Sequence, residues 1–249
     1  MSKARLVRLL VIVVVAGVVY WQRGNAPQSG TGESSKGGPT AVLKDNPIPD
    51  SGKAPTAVLK ENPLSGVGSG KVGKVRGYDK LTGARLLDRE GNDGDSFFVN
   101  AGGREFELRL YFVDAPEKYL SDRYENQRRR VAEQASEMGG ITVEQAVEVG
   151  KAAQIFVSQQ LSSKPFTVYT YWEEVYDGDR YYGFVELADG SYLGTRLVEQ
   201  GLVRIHTKGP GSKENPVPTP DGKSFFQHRD MLSDLERKAQ RAGAGAWGL

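Results

Sequence analysis

Cysteine is absent from the 249 residues, and histidine occurs only twice. Disulfides, thiolate metal sites and thiol nucleophiles are thereby excluded, and a zinc site, which draws on Cys and His, has almost nothing to draw on. The redox compartment stays open, because export does not require disulfides. A basic surplus is also missing. The formal charge is +2, and residues 1–70 hold eight Lys/Arg against four Asp/Glu, so that residues 71–249 carry a net −2. That balance excludes a broadly basic surface coating nucleic acid; any phosphate must be met by a few placed arginines or by a metal. Long apolar runs are lacking too. The longest, Leu9 to Trp21, has thirteen residues, against roughly 20 for a full membrane span.

What is present divides the chain into three. Lys3, Arg5 and Arg8 precede the apolar run and Arg23 follows it. Residues 1–23 therefore read as an N-terminal membrane anchor or signal segment. A helix beginning at Leu6 with Arg8 snorkelling lengthens the span, and no good small-x-small cleavage site follows, which favours the anchor. The basic flank expects the rest of the chain outside the cytoplasm, membrane-anchored or secreted. Residues 24–70, rich in Gly, Ser and Pro, predict a flexible stalk. Within it Pro39–Pro47 (PTAVLKDNP) recurs as Pro55–Pro63 (PTAVLKENP), a period of 16. The repeat is either a duplicated spacer or a bivalent peptide for a protein partner.

From Lys71 onward apolar alternation and turn signals take over. Phe97 to Val99 and Glu105 to Val113 predict strands joined by a hairpin at Asn100 to Gly103. Thr167 to Trp172 and Tyr181 to Leu187 predict two more, with Asp189-Gly190 turning into a short strand at Ser191 to Leu193. Thr142 and Gln145 form a capping-box signature before residues at helical spacing as far as Leu161, and a second helix runs from about Phe226 to Ala242, stopping at Gly243. Strands first, with helices between and after them, predict an α+β, mainly β domain over 71–249: a small five-stranded barrel with packed helices.

The chemistry-bearing residues are Asp93-Gly94-Asp95-Ser96, then Arg109, then Asp114-Ala115-Pro116-Glu117, with Asp179-Arg180 later. Arg109 lies fourteen residues after Asp95 and Asp114 five beyond that. With these intervals, with Arg180 opening a strand that ends at Asp189-Gly190, and with Leu197 to Leu202 and Trp247, residues 71–249 resemble the staphylococcal nuclease family. The resemblance implies an OB-like barrel and a calcium-dependent phosphodiesterase of the endonuclease type, a monomer acting on DNA and RNA. It also implies calcium bound by Asp95 and Asp114 with the Ala115 carbonyl assisting.

The residues support that chemistry on their own terms. Carboxylate oxygens suit calcium or magnesium. Glu117 is placed to hold or deprotonate an attacking water, and Arg109 and Arg180 offer planar forks for two phosphate oxygens. Asp93 and Gly94 read as turn formers, His206 and His228 as incidental, and Tyr181, Tyr182 and Tyr192 as barrel packing. The chain departs from the family at Asp177-Gly178, where a Lys-Tyr pair is expected, and near Thr207, where a tyrosine is. About twenty residues are inserted after Glu117, including Arg123 and Arg128 to Arg130, either a solvated helical face or a phosphate-binding lip. The Gly/Pro loop Lys208 to Lys223 is longer than expected. A different class also fits: a non-catalytic OB-type module tethering nucleic acid or a protein at the cell surface.

Overall fold

The computed structural model describes residues 70–249 apart from 122, 123, 177, 207 and 213. The membrane segment, the stalk with its repeat, and the expectations on Arg123, Asp177 and Thr207 lie outside the described residues. Among those described, no helix is long and apolar enough to cross a membrane.

The strands are β1 (Val72–Val75), β2 (Tyr78–Leu86), β3 (Ser96–Ala101), β4 (Arg104–Leu110), β5 (Val113–Asp114), β6 (Phe166–Glu174), β7 (Arg180–Glu186) and β8 (Arg204–Ile205). The helices are α1 (Glu125–Glu137), α2 (Val143–Ser162), α3 (Leu193–Glu199) and α4 (Phe225–Ala242), followed by a 3-10 turn at Gly245–Gly248. The fold is therefore mixed α+β. A six-stranded sheet runs β1-β2-β3-β4-β7-β6, and β2 pairs with β6 as well, so the hydrogen-bonded ladder returns on itself. All pairings are antiparallel except β4 with β7. A second, two-stranded sheet joins β5 to β8.

Alternation decides which face is core. Along β4, Phe106, Leu108 and Leu110 are buried while Glu107 and Arg109 between them stay partly open, as the period of two requires. The inward set joins Tyr78, Leu81, Phe97, Val99, Val168 and Val185, each fully buried side chain contributing roughly 1.5–3 kcal/mol. Helix α2 adds Val149, Ala153, Val157 and Leu161 to that core, and α4 adds Leu232. His228 of α4 is also buried, against the rings of Phe112 and Phe184. Burial pushes its pKa down to about 4, so its imidazole packs as a neutral ring.

The hairpin at Gly102-Gly103 forms as expected, both glycines taking the positive φ that a tight turn between twisted strands demands. The capping box of α2 is present, with Thr142 accepting from the Gln145 N–H and the Gln145 side chain reaching back. Helix α4 stops at Gly243, in the left-handed conformation. Three expectations fail. The main sheet has six strands rather than five, because β1 adds a hairpin arm to β2. Glu105 to Val113 is not one strand: β4 ends at Leu110, and Phe112 adopts φ 66°. Two backbone bonds hold that turn, Phe112 N–H to the Lys208 carbonyl at 2.8 Å and His206 N–H to the Phe112 carbonyl at 2.7 Å. They redirect the chain so that β5 leaves the main sheet for β8. Nor is Ser191 to Leu193 a strand. Asp189 captures the Ser191 N–H and hydroxyl at 2.9 and 2.6 Å, a single bridge links Glu186 to Tyr192, and α3 begins at Leu193.

Candidate functional site

The redirection at Phe112 assembles the site. Ser96 lies opposite Arg109 in the β3–β4 ladder, and the Leu110 N–H extends that ladder to the Asp95 carbonyl at 2.8 Å. Asp95 is therefore fixed at the mouth of β3, beside the outward-facing Arg109. Asp114, carried back by the turn, reaches the same guanidinium. Arg109 Nη1 lies 2.9 Å from Asp95 Oδ1 and Nη2 lies 2.6 Å from Asp114 Oδ1. The second oxygen of Asp95 accepts the Ala115 N–H at 2.6 Å. Three residues singled out by the family resemblance thus share one cluster, with Ala115 bonded into it.

Behind the cluster stands α2. A Cβ on Gly94 would sit 2.5 Å from the Ala153 methyl and 2.8 Å from that of Ala115, and a Cβ on Gly150 would sit 2.4 Å from the Pro116 carbonyl oxygen. Gly94 therefore serves close approach of the helix, while Asp93 makes the turn, its Oδ1 accepting the Gly94 N–H at 2.7 Å. Gly150 is needed for the same closeness, which outweighs the cost of about 1 kcal/mol for glycine inside a helix.

The electrostatics of the two aspartates diverge. Both are buried, at 2% and 8% exposure. For Asp95, burial raises the pKa above the usual carboxylate range; Arg109 opposes this and Asp114 adds to it. Asp114 feels a similar burial penalty, yet it is outweighed by Arg109, by a hydrogen bond from Gln134 and by Arg204, which hold its pKa below the usual value. The site thus contains one well-compensated carboxylate and one whose charge the nearby guanidinium does not fully support.

Glu117 sits past Pro116, and its carboxylate is paired with Arg130 of α1. Arg180 opens β7 in register with Glu107, and Arg109 is in register with Tyr182. By the period of two, Glu107, Arg109, Arg180 and Tyr182 share the outward face of β4 and β7. Arg180 Nη1 lies 3.5 Å from Glu107 Oε1, a long contact that leaves its fork largely open. Tyr182 stacks on Tyr111 with centroids 5.1 Å apart, and Lys208 Nζ lies 5.4 Å from the Tyr182 ring centre. The start of the long Gly/Pro loop therefore borders the site. Tyr181 packs edge-on to Phe106 and Trp172, and Tyr192 against Phe184, in keeping with packing roles.

Sequence reasoning missed two residues. Arg204 of β8 stands opposite Asp114 in the small sheet and places Nε 2.8 Å from Asp114 Oδ2. Gln134 of α1 donates Nε2 to the same oxygen at 2.8 Å and to the Ala115 carbonyl at 3.0 Å. Arg130, part of the Arg-rich run noted in the insertion, pairs with Glu117, and Lys208 opens the long loop beside Tyr182. Neither Arg204 nor Gln134 carries a local signal, since each meets its partner only through the tertiary fold; Arg204 follows Asp114 by 90 residues.

The donor set of the cluster is made of hard oxygens. Two carboxylates and a backbone carbonyl in one cluster are all oxygen donors, and Gln134 Oε1, buried beside them, has no hydrogen-bond partner. Among the described residues no group of three or more His, Asp or Glu side chains is placed to hold a metal, and a site of two carboxylates with a carbonyl would not form one. In kind, these residues fit calcium. No protein-family model and no curated protein matches the sequence.

Proposed function

We propose that the chain is a metal-dependent nuclease of the staphylococcal-nuclease type, hydrolysing phosphodiester bonds of DNA and RNA on an OB-like barrel closed by the pairing of β2 with β6. One observation carries the reading: Asp95, Arg109 and Asp114, selected because their intervals match those of the resembled family, meet through two contacts of 2.9 and 2.6 Å.

On this reading Asp95, Asp114 and the Ala115 carbonyl hold calcium, which when bound supplies Lewis-acid polarisation of the phosphate. Glu117 orients the attacking water and accepts its proton as the new P–O bond forms and the ester P–O bond breaks. The departing oxygen leaves with a proton drawn from solvent. Arg109 and Arg180, on one face of neighbouring strands, donate to the phosphate oxygens as negative charge builds on them. Both arginines face carboxylates in the structure, and so does Arg130 beside Glu117. Substrate binding therefore exchanges carboxylate partners for phosphate oxygens. A second reading draws on that same pairing: a cluster whose arginines are already occupied by carboxylates suits a non-catalytic OB-type module that binds nucleic acid or protein without cleaving it.

The proposed topology, with residues 1–23 in the membrane and the domain outside the cytoplasm, fits a weak calcium site. Sites with few protein carboxylates, as in extracellular modules, work at dissociation constants of about 10⁻⁴–10⁻³ M. They stay largely empty where free calcium is low. Calcium titrated against DNA hydrolysis by the full chain is expected to give half-maximal activity in that range. External protease should reach the domain in intact cells that lack an outer barrier. Half-maximal activity at micromolar calcium, or a shielded domain, would break the link between anchor and metal.

A further inference from the structure

Helix α1 belongs to the insertion that the family resemblance does not cover, yet one of its faces touches Asp114, Ala115, Glu117 and Arg204. Gln127, Arg130, Gln134 and Glu137 follow at intervals of three and four and so lie on one side of the helix. Gln127 Oε1 accepts the Ser121 N–H at 2.7 Å and anchors the incoming loop. Arg130 pairs with Glu117. Glu137 Oε2 holds Arg204 Nη1 at 2.9 Å, and Arg204 in turn holds Asp114. Gln134, between them, grips Asp114 Oδ2 and the Ala115 carbonyl with a single amide nitrogen.

The choice of residue at 134 is informative. The helix packs on α2 through a separate apolar stripe, Val131 and Ala135 against Ala146 and Val147. At 1% exposure, position 134 would serve packing alone better as methionine or leucine, because a buried amide needs partners and this one leaves Oε1 without any. Its orientation follows from chemistry: a carboxylate and a carbonyl are both acceptors, so the NH₂ end must face them. The amide is thus spent on two oxygens that the proposed calcium site would use.

We propose that Gln134 is a positioning residue of the cation site, its amide setting the Asp114 carboxylate and the Ala115 carbonyl in the orientation a hard cation requires. Helix α1 is on this view a wall of the site rather than a surface addition. The inference rests on the metal-dependent reading above. Partners of metal ligands of this kind typically change metal affinity about 10–100-fold when removed.

The test is isothermal titration of the full chain with calcium chloride, alongside thermal melts in chelator, for wild type, Gln134→Met and Gln134→Asn. Methionine keeps the volume and loses the donor. Asparagine keeps the amide but is one methylene too short to span both oxygens. Calcium affinity is expected to fall at least tenfold in both, with the methionine variant melting in chelator no lower than wild type. Wild-type affinity in either folded variant, with only the melting temperature lowered, would reduce Gln134 to a structural role and overturn the proposal. Failure of the wild type itself to bind millimolar calcium would instead strike the metal-dependent reading, and the proposal with it.

Discussion

Arg109→Lys is expected to retain the fold and lose about 10²–10³ in turnover, the usual cost of removing one transition-state donor. The guanidinium spans two carboxylates through separate nitrogens, Nη1 to Asp95 and Nη2 to Asp114. An ammonium keeps the charge but, as a compact point donor, cannot hold two oxygens in that planar arrangement or present a fork to phosphate. Burial alone would disfavour the charged form of Arg109, but Asp95 and Asp114 more than offset this and raise its pKa. The same two carboxylates would face the ammonium of a lysine, and gross unfolding is not expected. Hydrolysis rates at saturating calcium, with circular dichroism to confirm the fold, measure the effect. Near-normal turnover in the lysine variant would remove Arg109 from the mechanism.

Glu117→Gln is expected to lower turnover by about 10²–10⁴, the range for a positioned acid–base group, while leaving calcium affinity near wild type. The two effects separate because the proposed ligands are Asp95, Asp114 and the Ala115 carbonyl, while Glu117 stands apart from them, paired with Arg130. Glutamine keeps the shape and can still accept a hydrogen bond from Arg130, but it cannot take a proton. Calcium titration and single-turnover hydrolysis on the same preparation give both quantities. A collapse in calcium affinity would make Glu117 a metal ligand and refute its assignment to the water.

The parts of this protein that could be read from sequence are those in which a few neighbouring residues dictate a local outcome. Thr142 with Gln145, Gly102 with Gly103, and Gly243 each impose one conformation through a side-chain cap or a permitted positive φ, and each appears as expected. The break within Glu105 to Val113 was hidden because a phenylalanine in left-handed geometry carries no sequence mark; Lys208 and His206 hold it from far along the chain. Helix α1 has no continuous apolar stripe, since two of its four buried residues are glutamines, one bonded to the Ser121 backbone and one to Asp114. A helix that buries polar groups against a functional cluster looks, in sequence, like a solvated one.

The same division holds for the site. The intervals among Asp95, Arg109 and Asp114 reflect a hairpin and a turn, both local, and the cluster was legible through their match to the resembled family. Arg204 and Gln134 approach Asp114 from a separate strand and from an inserted helix. No spacing rule connects them to it. Gly94 was legible as glycine in a turn, but its reason, contact with Ala153 of α2, was not.

The most direct measurement is digestion of single- and double-stranded DNA and RNA by the full chain, with millimolar calcium and, in parallel, with excess chelator. Cleavage in calcium that stops in chelator and resumes when calcium is restored is the predicted result. Nucleic acid that is bound but left intact in calcium would contradict the nuclease reading and leave the paired cluster of Asp95, Arg109 and Asp114 as part of a binding module.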